Sequence, residues 1–449
     1  MTTKPPLQTS LSFEHSEALR SIAHRLIPGG AHTYAKGDDQ YPVLAPGFIT
    51  RGKGCFVWDV DGNRFTEYGM GLRAVTLGHA CPRTAKAAYE QMLLGNNFTR
   101  PAALEVQVAK ALLEMVGGPD DMVKFAKNGS DVTTAAVKLA RAYTGRDLVA
   151  ICETQPFFSV DDWFIGTTNT DAGIPAAVKA LTVGFRYNDL ASVRALFEAH
   201  PEQIACLMLE AARNEEPQAG FLEGVQILCR EHGVLLILDE MITGFRWHNG
   251  GARAYYSLEP DLATYGKGMA NGFSVSALVG KREVMELGGL HHDKERVFLL
   301  STTHGAEGPA LAAALATFQV YQEKDVIGHF WRQGQRLIEG INSLVSRHDL
   351  AGHFGPIGLP CNLAYFTRDA DGQPSQAFRT LFLQEMIKRG VLCPSLVVSH
   401  SHTDEVIEQT LVAMDGALSV YARALEDGVK TYLVGRPVQP VFRRYNGEV

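Results

Sequence analysis

The sequence predicts an α/β protein in which a mostly parallel central sheet is flanked by helices and a smaller α+β domain lies toward the C-terminus. Two observations lead to this fold class. Between about residues 100 and 280, short apolar runs alternate with helical patterns, and such alternation implies crossover connections between parallel strands. After about residue 325, helical and strand-like segments are mixed, which favours a second, smaller domain.

The N-terminal part predicts a helix and then a hairpin. The helical pattern of Phe13–Leu26 ends at Pro28-Gly29-Gly30, and proline next to glycine is a typical stop signal. The segment Gly54–Phe65 alternates apolar and polar residues around Asp61-Gly62. That dipeptide favours a tight turn between two antiparallel strands.

The central region predicts strands and helices of the main sheet. The strand-like runs are Val123–Ala126, Leu148–Cys152, Ile204–Leu209 and the run that ends at Asp239. The helical patterns are Ala135–Arg141, Leu222–Glu231 and about Gly308–Glu323. Glu210 and Asp239 each stand at the carboxyl end of a strand, and open α/β sheets bind their ligands at those ends.

The composition argues against several classes of function. The 449 residues are 46% apolar and 20% charged, with a net charge of −7, so there is no electrostatic reason to expect a nucleic-acid partner. No segment approaches the ~18 apolar residues of a membrane helix, and the first residues lack the pattern of a signal peptide. Seven cysteines without a Cys-x-x-Cys pair indicate neither a zinc site nor disulfides. We therefore expect a cytoplasmic protein with no metal and no membrane partner.

Two charged residues stand in apolar surroundings. Asp239 closes a run of five apolar residues, where a carboxylate is costly unless it meets a cation such as Arg246 or caps a helix. Lys267 lies between Gly266 and Gly268. The alternative to a functional role is that it is an ordinary solvated surface lysine. Together they predict a site for pyridoxal 5'-phosphate (PLP), with the lysine as Schiff base and the aspartate on the pyridine nitrogen.

A glycine turn predicts the phosphate end of this site. In Asn128–Asp131 a strand ends and a helix begins, so free backbone amides and the positive helix end can meet an anion. Gly129 and Ser130 are the candidate phosphate contacts. The simpler alternative is an ordinary helix capped by Ser130 or Asp131. The polar segment Ser301–Gly305 opens a helical pattern and is a second anion-binding candidate.

Two further pairs of residues have an ordinary interpretation beside a functional one. Phe157 and Phe158 are adjacent aromatics, which usually pack in a core, although one of them could lie flat on a planar cofactor ring. His79 and His402 are expected to make local hydrogen bonds rather than to take part in catalysis.

Together, these residues resemble the class III aminotransferases of PLP fold type I, and within them the glutamate-1-semialdehyde aminomutase branch. The specific matches are Asp239–Arg246 and Pro260–Lys267, supported by Asn128–Asp131 and Lys138–Arg141. The similarity extends from Pro28 to about Thr410. We expect residues 1–60 to form an N-terminal segment that packs with the small domain, 61–324 to form the large PLP-binding domain and 325–449 to form the small C-terminal domain.

The resemblance assigns roles by position. Lys267 would be both the Schiff-base lysine and the proton shuttle. The other implied cofactor contacts are Asp239 at the pyridine nitrogen, Gly129 and Ser130 at the phosphate, Phe157 stacked on the ring, Glu210 near the ring and Thr303 reaching the phosphate of the neighbouring subunit. The last contact implies a homodimer with shared active sites.

Three departures from the aminomutase pattern bear on the substrate. Lys36 replaces the arginine that the resemblance assigns to the substrate carboxylate, and lysine lacks the fork of a guanidinium. Phe158 replaces a histidine, and Cys393–His402 has no counterpart of a gating glutamate. These differences are similar to those of a side branch of transaminases that act on sugar-like carbonyl compounds.

The sequence therefore predicts a PLP-dependent aminotransferase with ping-pong kinetics. The expected donor is L-glutamate, and the expected acceptor is a polyhydroxylated keto acid or sugar-like carbonyl of the keto-sugar acid or dehydroshikimate type. His32, Tyr34, Lys36 and Arg246 are the predicted donor or acceptor contacts. The alternative is glutamate-1-semialdehyde 2,1-aminomutase, which moves the amino group within one substrate.

Other classes remain as rivals. A PLP decarboxylase or racemase would share Lys267, whereas a non-enzymatic binding protein would tolerate its loss. A nicotinamide-dependent enzyme is disfavoured, because no Gly-x-Gly-x-x-Gly follows a strand.

Overall fold

The structure, a computed structural model, describes residues 11–446, and the chain divides into two compact units. The first unit holds the described residues up to Leu72 together with Leu77–Ala80 and His329–Val441. The second holds Arg73–Thr76, Cys81–Gly328 and the described residues from Phe442 onward. The predicted domain limits at 60/61 and 324/325 stay a prediction.

Thirteen strands are defined within residues 11–446. They are β1 Ile49–Lys53, β2 Phe56–Asp59, β3 Arg64–Glu67, β4 Asp121–Ala126, β5 Leu148–Cys152, β6 Thr182–Phe185, β7 Ile204–Leu209, β8 Leu235–Asp239, β9 Leu262–Tyr265, β10 Ser276–Lys281, β11 Phe354–Ile357, β12 Ala364–Thr367 and β13 Val391–Leu392.

Fifteen helical segments accompany the strands in the same part of the chain. They are α1 Glu14–Leu26, α2 Met70–Arg73, α3 Pro82–Leu94, α4 Ala103–Val116, α5 Gly129–Thr144, α6 Asp162–Ile165, α7 Ala176–Lys179, α8 Leu190–Ala199, α9 Phe221–His232, α10 Gly251–Tyr255, α11 Arg282–Met285, α12 Gly308–Glu323, α13 Val326–Arg347, α14 Gln376–Lys388 and α15 Asp404–Asp427. Among residues 11–446, none of the helices has both the length and the apolar character needed to cross a membrane.

The central sheet of the second unit has seven strands in the order β4-β10-β9-β8-β7-β5-β6. Four neighbouring pairs are parallel, from β9 through to β6, whereas β10 runs antiparallel to both β4 and β9. The predicted α/β fold with a mostly parallel sheet is therefore confirmed. The four strands predicted from apolar runs are β4, β5, β7 and β8. The sequence analysis did not single out β6, β9 and β10, which are short or include glycine, serine and threonine.

Burial explains why β7 and β8 form the centre of this sheet. Every residue of both strands is buried, as expected for parallel strands that are covered by helices on both faces. Helix α5 contributes small buried side chains, including Ala135, Ala136 and Ala140, and small side chains let a helix approach a sheet closely. The packed core holds the carboxyl ends of β7 and β8 in place, and Glu210 and Asp239 stand at those ends.

The first unit contains a four-stranded sheet in the order β1-β2-β3-β13. Strands β2 and β3 form the predicted antiparallel hairpin, and Gly62 in its turn has a φ of 85°, which favours glycine. Strand β13 pairs in parallel with β3, so the C-terminal part of the chain extends a sheet that the N-terminal part begins. After α1, the chain passes through three short 3-10 turns, Pro28–Gly30, Tyr34–Lys36 and Asp38–Gln40.

Candidate active site

Lys267 follows strand β9 and begins a 3-10 turn with a left-handed φ of 43°. The turn is held by the Tyr321 hydroxyl, which donates to the Gly268 carbonyl over 2.7 Å. A Cβ on Gly266 would come within 2.7 Å of the Met241 sulfur, so the backbone beside the lysine needs glycine. Lys267 is half-buried.

The electrostatic surroundings of this lysine favour a neutral amine. Burial lowers the pKa of Lys267; the carboxylates of Asp239 and Glu210 oppose that change, and the charges of Arg213 and Arg73 add to it. A lysine whose pKa is lowered loses its proton more readily and becomes a usable nucleophile.

Asp239 is buried at the end of strand β8. Its Oδ1 accepts hydrogen bonds from the Met241 backbone N–H at 2.8 Å and from the Thr264 hydroxyl at 3.2 Å. Burial and the nearby Glu210 raise the pKa of Asp239, and Lys267 acts in the opposite direction. A cationic ring nitrogen at this carboxylate would favour its ionised form.

Glu210 is the second strand-end carboxylate, and it is buried with 3% of its surface exposed. Its backbone is fixed by the side chain of Gln155, which donates to the Glu210 carbonyl at 2.6 Å and accepts from its N–H at 2.8 Å. Oε1 accepts from Arg213 at 2.9 Å. Within the described residues, Oε2 is buried without a hydrogen-bond partner, and a buried acceptor of this kind calls for a ligand or water donor.

The predicted phosphate turn begins helix α5, but its N-cap is Asn128 rather than Ser130 or Asp131. The Asn128 side chain accepts from the Ser130 N–H at 3.1 Å, and the Asp131 carboxylate accepts from the Asn128 N–H at 3.1 Å. The simpler alternative, a capped helix, is therefore present, with Asn128 as the cap in place of Ser130 or Asp131, because Asn128 and Asp131 satisfy the backbone amides of Ser130 and Asn128 reciprocally. Ser130 is buried, and its oxygen accepts from the Val160 N–H at 2.9 Å, which leaves the hydroxyl proton available to an anion.

Gly129 is the first residue of that helix and lies close to Met241. A Cβ on Gly129 would come within 3.2 Å of the Met241 sulfur. The Ser276 hydroxyl donates to the Asn128 carbonyl at 2.7 Å, so strand β10 helps to hold the turn. The start of this 16-residue helix offers the positive end of the helix dipole, which suits a phosphate.

The two adjacent phenylalanines separate into an exposed and a buried one. Phe157 is 43% exposed and meets Phe164 edge to face, with ring centroids 5.8 Å apart. Phe158 is buried and also packs edge to face on Phe164. Of the pair, only Phe157 keeps a ring surface available for stacking.

The second anion-binding candidate, Ser301–Gly305, is an exposed segment ahead of helix α12. That helix begins at Gly308 with Glu307 as its N-cap, so the segment precedes the helix rather than opening it. Thr303 is exposed, and its carbonyl accepts from the Asn97 side chain at 2.9 Å. Because Thr303 is exposed, a contact between Thr303 and the cofactor phosphate of a neighbouring subunit stays a prediction.

The predicted substrate residues fall into both units. His32, Tyr34 and Lys36 belong to the first unit, where His32 and Lys36 line a cavity of about 500 Å³ and Tyr34 is exposed. Arg246 belongs to the second unit and is buried, with its Nη2 donating to the Arg73 carbonyl at 3.4 Å.

His79 and His402 make local hydrogen bonds, as predicted. The Nε2 of His79 lies 2.8 Å from a Glu67 carboxylate oxygen. His402 is buried between the Ser399 N–H, which donates to its Nδ1 at 2.9 Å, and the Glu67 carbonyl, which lies 3.2 Å from its Nε2. Burial lowers the pKa of His402 to about 3, so this histidine stays neutral.

The sequence analysis missed Arg73 and Arg213, whose charges contribute to the lowered pKa of Lys267. Arg213 had a local signal, since it follows the strand-end Glu210 by three residues. Arg73 had none, because it is distant in sequence from the other residues of the site.

The donor set in the second unit fits PLP. Lys267 supplies an amine of lowered pKa, Asp239 a buried carboxylate for the ring nitrogen, and the start of α5 an anion site. The unpartnered Oε2 of Glu210 adds an acceptor. These are the groups that the fold supplies to such a cofactor, although each individual contact stays a prediction.

Comparisons with known proteins agree with this fit. A family model described as "Aminotransferase class-III" matches residues 34–411. The glutamate-1-semialdehyde 2,1-aminomutase of Methanothermobacter thermautotrophicus is 32% identical over 427 residues, covering 90% of this chain and 99% of that protein.

Two solved structures extend the comparison. A PLP form of the FumI protein from Sphingopyxis sp. MTA144 has a TM-score of 0.84 at 29% identity, covering 92% of this chain and 97% of that chain. A transaminase with PLP bound has a TM-score of 0.82 at 22% identity, covering 93% of this chain and 100% of that chain; at this identity the likeness bears on the fold alone.

The fold and the donor set define a PLP enzyme of fold type I. The chain belongs to the class III aminotransferase family, and its similarity includes the glutamate-1-semialdehyde aminomutase branch. It is therefore a PLP-dependent enzyme of amino-group transfer.

Proposed function

We propose that the chain moves an amino group within one substrate, in the manner of a glutamate-1-semialdehyde 2,1-aminomutase. The observation that carries amino transfer is the place of Lys267 just after strand β9, which pairs with strand β8 at Asp239; burial lowers the pKa of this lysine. The intramolecular form is supported by a curated relative of that name, which matches nearly end to end. This support favours the aminomutase over the keto-sugar acceptor that the sequence analysis placed first.

The proposed roles follow from the site. When bound, PLP supplies an electron sink for the substrate carbon. Lys267 Nζ would remove a proton from that carbon and return it at a neighbouring position as general base and then acid. Asp239 would keep the ring nitrogen protonated. Gly129 and Ser130 would hold the phosphate, and Phe157 would pack on the ring.

A second candidate is transfer from L-glutamate to a polyhydroxylated keto acceptor. The observation that favours it is Lys36, which stands in place of the expected carboxylate-binding arginine and lines a cavity of the first unit with His32. A lysine is a single charge that can serve hydroxyls as well as a carboxylate, since it lacks the planar fork of arginine.

One experiment separates the two candidates. The holoenzyme is given glutamate-1-semialdehyde alone, and 5-aminolevulinate is measured over many turnovers. We expect steady formation without any added amino donor. The matched assay supplies L-glutamate with a panel of sugar-like ketones and measures 2-oxoglutarate. If turnover occurs in the second assay but not in the first, the transaminase becomes the better proposal and the aminomutase is rejected.

We further propose a cytoplasmic homodimer with shared active sites. Support comes from exposed apolar side chains of the second unit, including Leu93, Leu94 and Val106, which a partner subunit would remove from water. Thr303 is exposed as well. Light scattering would report the mass. Mixing inactive Lys267→Ala with a Thr303→Ala variant should restore part of the activity if each site uses both subunits, and no recovery would count against sharing.

A further inference from the structure

Lys127 and Glu307 form an ion pair within the second unit that joins two segments distant in the chain. Lys127 lies between strand β4 and helix α5, and Glu307 is the N-cap residue of helix α12. Both side chains are half-buried. The pair therefore connects the start of α5 with the start of α12, and neither residue has a role in the proposed function.

The backbone of Lys127 is tied to the phosphate turn, Asn128–Asp131, and to the chain before strand β10. Its N–H donates to the Asp131 carboxylate at 3.2 Å. Its carbonyl accepts from the Ser274 hydroxyl at 3.0 Å. Because the backbone of this lysine is held on both sides of its Cα, the side chain that reaches α12 starts from a fixed point.

Capping does not explain why a glutamate stands at the start of α12. Serine, threonine, aspartate and asparagine are the favoured N-cap residues, and the Glu307 side chain makes no capping hydrogen bond. Its carbonyl accepts from the Leu311 N–H at 3.1 Å, as in any helix, whereas its carboxylate pairs with Lys127. The ion pair is therefore the contact that accounts for this side chain.

The Ser301–Gly305 segment, which is the second anion-binding candidate, lies beside the end of β4. A Cβ on Gly305 would come within 3.8 Å of the Phe125 carbonyl oxygen. The Asn97 side chain holds the segment as well, since it donates to the Thr303 carbonyl at 2.9 Å. The two anion-binding candidates of one chain are therefore neighbours in space, and the ion pair joins the elements that follow them.

The relative position of these two segments matters for a phosphate. Two amides of the phosphate turn are already satisfied within it, because the N–H groups of Asn128 and Ser130 donate to side chains of the turn. A phosphate presents three strong acceptor oxygens, so donors from outside the turn would strengthen its binding. In the proposed homodimer, Ser130 would serve the phosphate of its own subunit and Thr303 that of the partner. A fixed separation of the two segments would then allow both sites to be complete.

We infer that Lys127 and Glu307 are positioning residues for the cofactor phosphate, and that their ion pair holds the Ser301–Gly305 segment against the phosphate turn. This inference rests on the proposed function, in which the cofactor is PLP and both segments bind its phosphate in the shared sites of a homodimer. The pair acts through the positions of the segments rather than through its charge, since a lysine and a carboxylate together carry no net charge.

The test compares PLP with pyridoxal, which has the same ring and no phosphate. Each is titrated into the full-length protein freed of cofactor, and absorbance gives the Kd. We expect Glu307→Gln and Lys127→Gln each to raise the Kd for PLP about two- to fivefold, the effect of losing a partly exposed ion pair, and to leave the Kd for pyridoxal unchanged. The double exchange Lys127→Glu with Glu307→Lys should restore most of the affinity for PLP, because the pair forms again with opposite polarity. Glu323→Gln, at the other end of α12 and paired with Arg83, is the matched control and should change neither Kd.

Three results would overturn the inference. A lower Kd for PLP in Glu307→Gln would mean that the released Lys127 attracts the phosphate and that the pair acts by charge. An equal rise in Kd for PLP and pyridoxal would indicate a general effect on the fold. Unchanged Kd values in both single variants would remove the role altogether. Failure of the proposed function is seen separately, because borohydride reduction and peptide mapping would then find no label at Lys267.

Discussion

The two units of the chain hold their candidate site residues on different kinds of backbone. In the second unit, Glu210 and Lys267 follow strands β7 and β9, and Asp239 is the last residue of β8; β7 and β8 are buried along their whole length. In the first unit, His32, Tyr34 and Lys36 lie on or beside 3-10 turns and are exposed. Residues on buried strand ends are fixed by packing, whereas those on exposed turns are not.

Rigid strand ends suit catalytic groups, whereas exposed turns suit groups that select the substrate. Groups that must be placed accurately for proton transfer gain from a rigid sheet. Groups that contact a variable part of a substrate can change identity on an exposed turn with little effect on stability. We therefore expect substitutions in the strand-end group to reduce turnover and substitutions in the turn group to alter substrate affinity.

The strongest test of the strand-end group is Lys267→Ala. We expect turnover to fall by roughly 10⁴-fold or more, since general acid–base catalysis alone contributes about 10²–10⁴-fold and the proposed covalent attachment of the cofactor would be lost as well. Initial rates with semialdehyde measure the effect. Lys86→Ala, at a lysine that is 74% exposed, is the control. A Lys267→Ala enzyme that retains turnover would remove the basis of the comparison.

Asp239→Asn should have the next largest effect. A charge-assisted hydrogen bond contributes about 1.5–3 kcal/mol, so losing the charge at the ring nitrogen should lower kcat/KM by about 10- to 100-fold. Asp120→Asn changes an exposed aspartate of the same unit that pairs with Arg282, and it should behave as the unaltered enzyme does. Equal rates in the two variants would mean that the strand-end position carries no special role.

A buried histidine of the first unit tests whether that unit also contains a rigid part. Burial lowers the pKa of His402 to about 3, against about 6.5 in an unfolded chain, so between these values the unfolded chain binds more protons. The free energy of unfolding should therefore rise with pH across this window, by up to about 1.4 kcal/mol per pH unit from this residue. Urea titrations of His402→Gln should show a smaller pH slope than those of the unaltered protein.

The smallest effect is expected for Lys36→Ala. Exposed ion pairs contribute about 0.2–1 kcal/mol, so KM should rise by no more than about fivefold, and the free energy of unfolding should change by less than about 0.5 kcal/mol. Lys53→Ala, at another exposed lysine of the first unit, should leave KM unchanged. A loss of kcat at constant KM would contradict the assignment of the turns to substrate binding.

The strand-end residues could be predicted because their signals are local. The run of apolar residues before Asp239 predicts a buried strand. The same few positions show that the carboxylate at its end is costly to bury without a cationic partner. Lys267 and the Asn128–Asp131 turn can also be predicted from the few residues around them. The reversed direction of β10 could not be predicted in this way, because strand pairing depends on partners that are distant in the chain.

The cap of α5 and the effect of Arg73 and Arg213 on Lys267 could not be predicted from local patterns either. Asn128 became the N-cap because its own amide and that of Ser130 are satisfied reciprocally, a choice among neighbouring cap-forming residues that spacing alone leaves open. Arg73 and Arg213 are 140 positions apart in the chain, and no pattern in either segment points to the other.

The amino-acid sequence alone predicts the α/β class, four strands of the central sheet and the two charged residues in apolar surroundings, because hydrophobic periodicity and isolated charges are properties of a short segment. Folding is needed to bring together charges from distant segments, such as Arg73 with Glu210 and with Lys267. Electrostatic effects fall with distance in space rather than along the chain, and that distance exists only in the folded protein.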